Sequence, residues 1–144
     1  MAMACDGQNI ALTPTTIIVV EHDAGVRRSL QFALAAEGFA VRTYARGNDM
    51  LGASAPPDHG CVVVDYDLPD MTGLDLLALL RTRHVMLRAI LITTNPTATL
   101  RRRAEEAGVP MLEKPLLGDS LITGIAAALT RSASPRRATT RPTT

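Results

Sequence analysis

The chain has 144 residues, 47% of them hydrophobic and 20% charged, with a net charge of +1. That length suits one domain with one core, and the near-neutral balance excludes a nucleic-acid-coating or membrane-surface protein. No run approaches 18 apolar residues and no secretory signal pattern opens the chain, so neither a membrane span nor export is expected and the expected compartment is the cytoplasm.

Residues 1–14 show no period and end at Pro14, which predicts an irregular leader. Cys5 lies in that leader and Cys61 at a strand start, a placement that does not suggest a structural disulfide. Short apolar runs then alternate with segments of helical period. IIVV (17–20) reads as the first strand, followed by Val26, Leu30, Ala33 and Leu34 at helical spacing. AVRTY (40–44) is the second strand, and a helical segment of less regular period covers 46–55. CVVVD (61–65) is the third. Behind it Leu74, Leu77 and Leu80 step by three, and Thr72 with Asp75 resembles a capping box. AILIT (89–93) is the fourth strand. Asn95-Pro96 reads as an N-cap followed by proline at the first helical position, ahead of Leu100, Ala104 and Ala107. PMLE (110–113) is the fifth, and Leu121, Ile125, Ala128 and Leu129 mark the last helix. Gly38 and Gly108 each follow a helix and precede a strand, where a left-handed C′ residue belongs.

Four of these five runs are nearly continuous rather than alternating, as parallel strands covered on both faces should be. Five βα units therefore predict an α/β fold, a doubly wound five-stranded parallel sheet of flavodoxin-like order 2-1-3-4-5, occupying residues 15–130. The basic tail 131–144, RSASPRRATTRPTT, has no apolar anchor and is expected to be disordered.

In such a sheet ligands bind outside the carboxyl ends of the strands. What each strand delivers there is informative. The first ends in Glu21-His22-Asp23, the third in Asp65-Tyr66-Asp67, the fourth in Thr93-Thr94 and the fifth in Lys114-Pro115. Carboxylates, a hydroxyl and one ammonium form a phosphoryl-handling set: a nucleophile, a donor, a point cation and acids able to hold Mg²⁺. Of fifteen basic side chains fourteen are arginine, and the single lysine, Lys114, falls where a compact ammonium suits better than a planar fork. His59 and His84 lie in polar linkers and carry no comparable signal.

Over roughly residues 15–130 this arrangement resembles the receiver domain of bacterial two-component response regulators, most closely those like the nitrogen-fixation regulators. The resemblance implies that Asp65 accepts a phosphoryl group from a kinase phosphohistidine, that Thr93 is the switch residue bonding the phosphoryl oxygens, and that Lys114 pairs with the carboxylate beside a cis bond to Pro115. It implies a Mg²⁺ site involving Glu21, His22 and Asp65, with Asp67 offering its backbone carbonyl, and a tight turn permitted by Gly73. It also implies a sensor histidine kinase or phosphotransfer protein as partner. A homodimer or partner surface is expected on the fourth helix, fifth strand and fifth helix, where Arg101, Arg102 and Arg103 stand beside Glu105 and Glu106.

Three residues depart from that pattern. Glu21 and His22 stand where the family carries two aspartates, and imidazole is a poor ligand for a hard cation. Counting charges, Glu21, Asp65 and Lys114 leave the pocket at −1, and a protonated His22 brings it to zero without metal. Weak Mg²⁺ binding, strengthened by His22→Asp, is the expectation. Met111 replaces the usual aromatic switch residue, and Thr94 replaces a small residue, narrowing access to Asp65. The expected function is a single-domain response regulator that is a phosphoacceptor rather than an enzyme. The alternatives are a pseudo-receiver that binds partners without efficient phosphorylation, and a phosphatase of the haloacid-dehalogenase type. The second rests on the Asp65-Tyr66-Asp67 pattern but lacks the further acidic pair, since Asp119 stands alone.

Overall fold

The computed structural model describes residues 14–130 except 54–56, 58, 84, 86, 117 and 118. The leader, the basic tail, Cys5 and His84 fall outside the described residues, apart from Pro14. The strands are β1 Thr16–Val20, β2 Ala40–Tyr44, β3 Gly60–Asp65, β4 Arg88–Thr93 and β5 Met111–Glu113. The helices between and after them are α1 Ala24–Ala36, α2 Gly47–Leu51, α3 Gly73–Thr82, α4 Ala98–Ala107 and α5 Ser120–Thr130. All strand pairs are parallel and the order is β2-β1-β3-β4-β5, as the βα alternation predicts.

Alternation along the central strands splits the core into two layers. Ile17, Val19, Cys61, Val63, Ile90 and Ile92 face Leu30 and Leu34 of α1 and Leu121, Ile125 and Ala128 of α5. Ile18, Val20, Val62, Val64 and Leu91 face the other way, against Met50 of α2, Leu74, Leu76, Leu77 and Leu80 of α3, and Leu100 and Ala104 of α4. Because helices cover both faces, a strand such as β3 is buried at every position, and a continuous apolar run is the sequence that fits it. Each buried Val, Ile or Leu contributes about 1.5–3 kcal/mol, so the two layers together dominate the stabilisation.

The ends of the helices follow local chemistry with one correction. Asp23 and Thr72 cap α1 and α3, accepting from the amides of Val26 and Asp75. Gly38 and Gly108 adopt positive φ of 97° and 72° behind α1 and α4. The cap of α4, however, is Thr97 and not Asn95: the Thr97 hydroxyl accepts from Leu100 N, and the helix starts at Ala98. Asn95 is held in the strand-end turn, its amide donating to Thr93 Oγ1 at 3.1 Å. The segment 46–55 yields only the five-residue α2 among its described residues. Gly73 opens α3, and a Cβ there would lie 2.6 Å from the Asp65 carbonyl oxygen and 2.8 Å from Leu91 Cδ1. What Gly73 permits is this close approach of helix to strand rather than a turn of unusual φ.

Candidate functional site

Parallel register sets the polar residues side by side. Val20 pairs with Val64, so Glu21 and Asp65 leave the sheet as neighbours. Thr93 pairs with Glu113, and Lys114 N donates to the Thr93 carbonyl at 2.7 Å, which places the lysine beside the end of β4. Glu21, Asp65 and Thr93 are the buried polar residues among those described.

Lys114 Nζ bridges the two carboxylates, 3.0 Å from Glu21 Oε1 and 3.1 Å from Asp65 Oδ2. The remaining oxygens are held by backbone amides, Glu21 Oε2 by Asp23 N at 3.0 Å and Asp65 Oδ1 by Asp67 N at 3.2 Å. His22, half-exposed, brings Nδ1 to 3.6 Å from Glu21 Oε2 and 3.7 Å from Asp65 Oδ2. Burial raises the Glu21 carboxyl above its ordinary range, although the bonds from Asp23 and Lys114 work against it, and the Asp65 charge adds to the rise. For Lys114 burial pulls downward, but its bonds to Glu21 and Asp65 outweigh this and hold the ammonium above the ordinary lysine value. The bridging ammonium is thus charged throughout the physiological range.

Thr93 is almost fully buried and its oxygen accepts from Asn95 N, which leaves the hydroxyl proton for another acceptor. The Lys114–Pro115 peptide bond is cis. Asp67 contributes its amide to Asp65, while its side chain is exposed. Asp23 turns to cap α1 rather than entering the carboxylate cluster. Met111 packs, half-buried, against the layer that contains α3 and α4. Thr94 is exposed and lines the same cleft as His22, Asp65, Asp67 and Lys114. Arg101, Arg102 and Arg103 are exposed on α4, and Arg103 lines a small cavity with Tyr66, Asp67 and Thr93.

Two positioning residues had no counterpart in the sequence reading. Arg27 Nη1 donates to the carbonyls of Glu21 at 2.8 Å and His22 at 3.3 Å, fixing the loop that carries both. Asp70 accepts from Gly47 N at 3.1 Å and Asn48 N at 2.8 Å, so the loop after β3 caps α2. Its partners lie 22 and 23 residues away, beyond any local motif.

Glu21, His22 and Asp65 are a group able to coordinate a metal ion. Their fit to Mg²⁺ is poor. That ion asks for near-octahedral oxygen ligands and gives up water reluctantly. Here the third donor is a ring nitrogen, which replaces an oxygen that such an ion prefers.

The geometry agrees with known proteins. A family model for the response regulator receiver domain matches residues 17–126. The transcriptional regulatory protein FixJ of Azorhizobium caulinodans is 35% identical over 120 residues, covering 83% of this chain and 57% of that protein. Nodulation protein W of Bradyrhizobium diazoefficiens is 31% identical over 133 residues, covering 92% and 59%. The solved structure of full-length FixJ from B. japonicum superposes with a TM-score of 0.75 at 29% identity, over 83% of this chain and 60% of that one. The non-phosphorylated HemR receiver domain from Leptospira biflexa, 22% identical, shares the fold with a TM-score of 0.75 over 85% of this chain and 99% of its own. The chain spans somewhat more than half the length of the two curated relatives.

Proposed function

The chain belongs to the response regulator receiver family, and from that premise we propose that Asp65 is its phosphoacceptor, charged by a sensor histidine kinase or a phosphotransfer protein. The observation that carries this reading is the placement of Asp65 at the end of β3, with Lys114 Nζ on Oδ2 and the Asp67 amide on Oδ1. A carboxylate oxygen attacks phosphorus, the P–N bond to the donor imidazole breaks, and an acyl phosphate forms on Asp65 while the imidazole leaves with the bonding pair. Lys114 opposes the charge on the phosphoryl oxygens, and the Thr93 hydroxyl supplies a proton for a hydrogen bond to one of them. Thr93 and Met111 then act as the switch pair. The ammonium also bonds Glu21, which holds it in place as Asp65 changes from carboxylate to acyl phosphate.

Mg²⁺ supports phosphoryl chemistry by neutralising charge when it is bound. In this chain we take its binding to be weak, because His22 stands among the donors. Output passes by protein–protein contact, and the face of α4, β5 and α5 is the surface we assign to it, with exposed Arg101, Arg102 and Arg103 beside exposed Glu105 and Glu106. The reading places the protein in the cytoplasm. Incubation with a small phosphoramidate followed by intact-mass measurement tests it: one added phosphoryl group is expected, absent in Asp65→Asn. Undiminished labelling of Asp65→Asn overturns the assignment. The position of Asp65 after the third strand speaks against the phosphatase alternative, which starts its chain at that strand.

His22 favours a second reading, since its ring lies 3.7 Å from the acceptor oxygen. In that reading the chain is a pseudo-receiver, docking to partners without efficient phosphorylation. Wild type that stays unlabelled while His22→Asp becomes labelled supports it.

A further inference from the structure

The misfit with Mg²⁺ has a positive side. Two carboxylate oxygens and one imidazole nitrogen form the donor set of a borderline cation, since imidazole suits zinc and its neighbours while magnesium favours oxygen alone. The spacing agrees with the chemistry. Around an ion with ligands at about 2.1 Å, tetrahedral geometry separates two donors by about 3.4 Å. Octahedral geometry at the same bond length brings adjacent donors to about 3.0 Å. His22 Nδ1 stands 3.6 Å from Glu21 Oε2 and 3.7 Å from Asp65 Oδ2, on the tetrahedral side of that difference. All three ligand atoms lie within 4.8 Å of one another.

The supports are also in place. Arg27 binds the carbonyls of Glu21 and His22 and so fixes the backbone that carries two of the three donors. The Asp23 amide orients Glu21 Oε2, and the Asp67 amide and Lys114 orient Asp65. Supports of this kind set the affinity of metal sites. His22 is half-exposed on the cleft, so a fourth position opens to water. Three protein ligands with one open position is the pattern of zinc sites that exchange ligands.

We propose that Glu21, His22 and Asp65 bind a divalent cation of the zinc type in preference to Mg²⁺. Replacement of an aspartate by His22 then changes which ion the pocket takes, beyond weakening the usual one. Among the described residues this is the one cluster of such ligands. The inference rests on the placement of three side chains and not on phosphoryl transfer, so labelling of Asp65 in either direction leaves it standing.

The test is titration of the full metal-free chain with Co²⁺, followed by visible absorption, and competition with Zn²⁺ or Mg²⁺ salts. Saturable binding with the intense bands of tetrahedral Co²⁺ is expected, abolished by an equivalent of Zn²⁺ and resistant to a large excess of Mg²⁺. Because His22 is half-exposed, its variants keep the fold, which circular dichroism verifies. His22→Ala should weaken Co²⁺ binding at least about a hundredfold, more than loss of a supporting group costs. His22→Asp should lose the tetrahedral bands and gain competition by Mg²⁺. Weak octahedral bands, equal displacement by Mg²⁺ and Zn²⁺, or unchanged affinity in His22→Ala each overturns the proposal.

Discussion

At the carboxyl end of the sheet, β1, β3 and β5 lead into two buried carboxylates bridged by an ammonium. At the opposite, amino end three arginines reach from the end of α3 and from β4 to carbonyls at the ends of helices. Arg81 donates to Ala107 O in the last turn of α4, Arg83 to Leu51 O of α2, and Arg88 to Ala128 O of α5. Both ends pair positive side chains with negative partners, yet the physics differs. A helix C-terminus carries a partial negative charge that stays largely solvated, so a guanidinium there adds stability without a desolvation penalty of its own. The carboxylates are buried, and the raised Glu21 shows that burial works against their charge. The amino end ties the fold together; the carboxyl end holds charge that the fold tolerates because Lys114 and two backbone amides are present.

Removal of Lys114 should break this contrast most sharply. Lys114→Met leaves Glu21 and Asp65 facing each other, and urea unfolding at neutral pH should show a loss of about 3 kcal/mol, the low end for a broken buried pair. The sign with pH follows from the raised Lys114 value: its stabilising contribution is whole below the ordinary lysine value of 10.5 and fades as pH climbs through the higher folded value. The gap between wild type and Lys114→Met should therefore narrow in strong alkali, and the chain has no other lysine to confuse the reading. A gap that widens there contradicts the account.

A second test concerns crowding at the same end of the sheet. Gly73→Ala pushes a methyl group against the Asp65 carbonyl and Leu91, and backbone has little room to yield. A loss of about 2 kcal/mol is expected in spite of alanine's better helix propensity, measured as a lower urea midpoint. Next in size is the cap of α4, where Thr97→Ala should cost about 1 kcal/mol and Asn95→Ala clearly less. Equal losses would contradict the assignment of Thr97 as the cap. Smallest is the arginine end. Arg81→Ala and Arg83→Ala should each cost about 0.5 kcal/mol, and the double variant about their sum, because the two side chains serve different helices.

The strands were legible because burial on both faces demands runs such as CVVV, and no local alternative competes with that pattern. Glu21, Asp65 and Lys114 were legible for a related reason: the ends of parallel strands meet, so residues far apart in sequence can be placed together by topology alone. Side-chain direction was not. An aspartate one residue ahead of a helix start reads as its N-cap, and Asp23 is that cap, but nothing in EHDAG says that His22 leans over the carboxylates. The α4 cap was misread because Asn95-Pro96 and Thr97 both fit a helix start, and the decision came from Thr93 Oγ1 drawing Asn95 into the strand-end turn. The short α2 was the least regular segment for a physical reason, since Asp70 supplies its cap from the loop after β3 and Arg46 at its own N-cap supplies none. The arginine contacts join residues 26 to 40 positions apart and leave no local trace.

That borrowed cap makes α2 a reporter. A five-residue helix is far too short to persist by itself in water. Its first two amides, Gly47 and Asn48, are held by Asp70, five residues beyond Asp65 in the loop that follows β3. Their solvent exchange is consequently governed by the position of that loop rather than by the helix they belong to. Two backbone protons on α2 can thus register, in a spectrum, what happens beside Asp65.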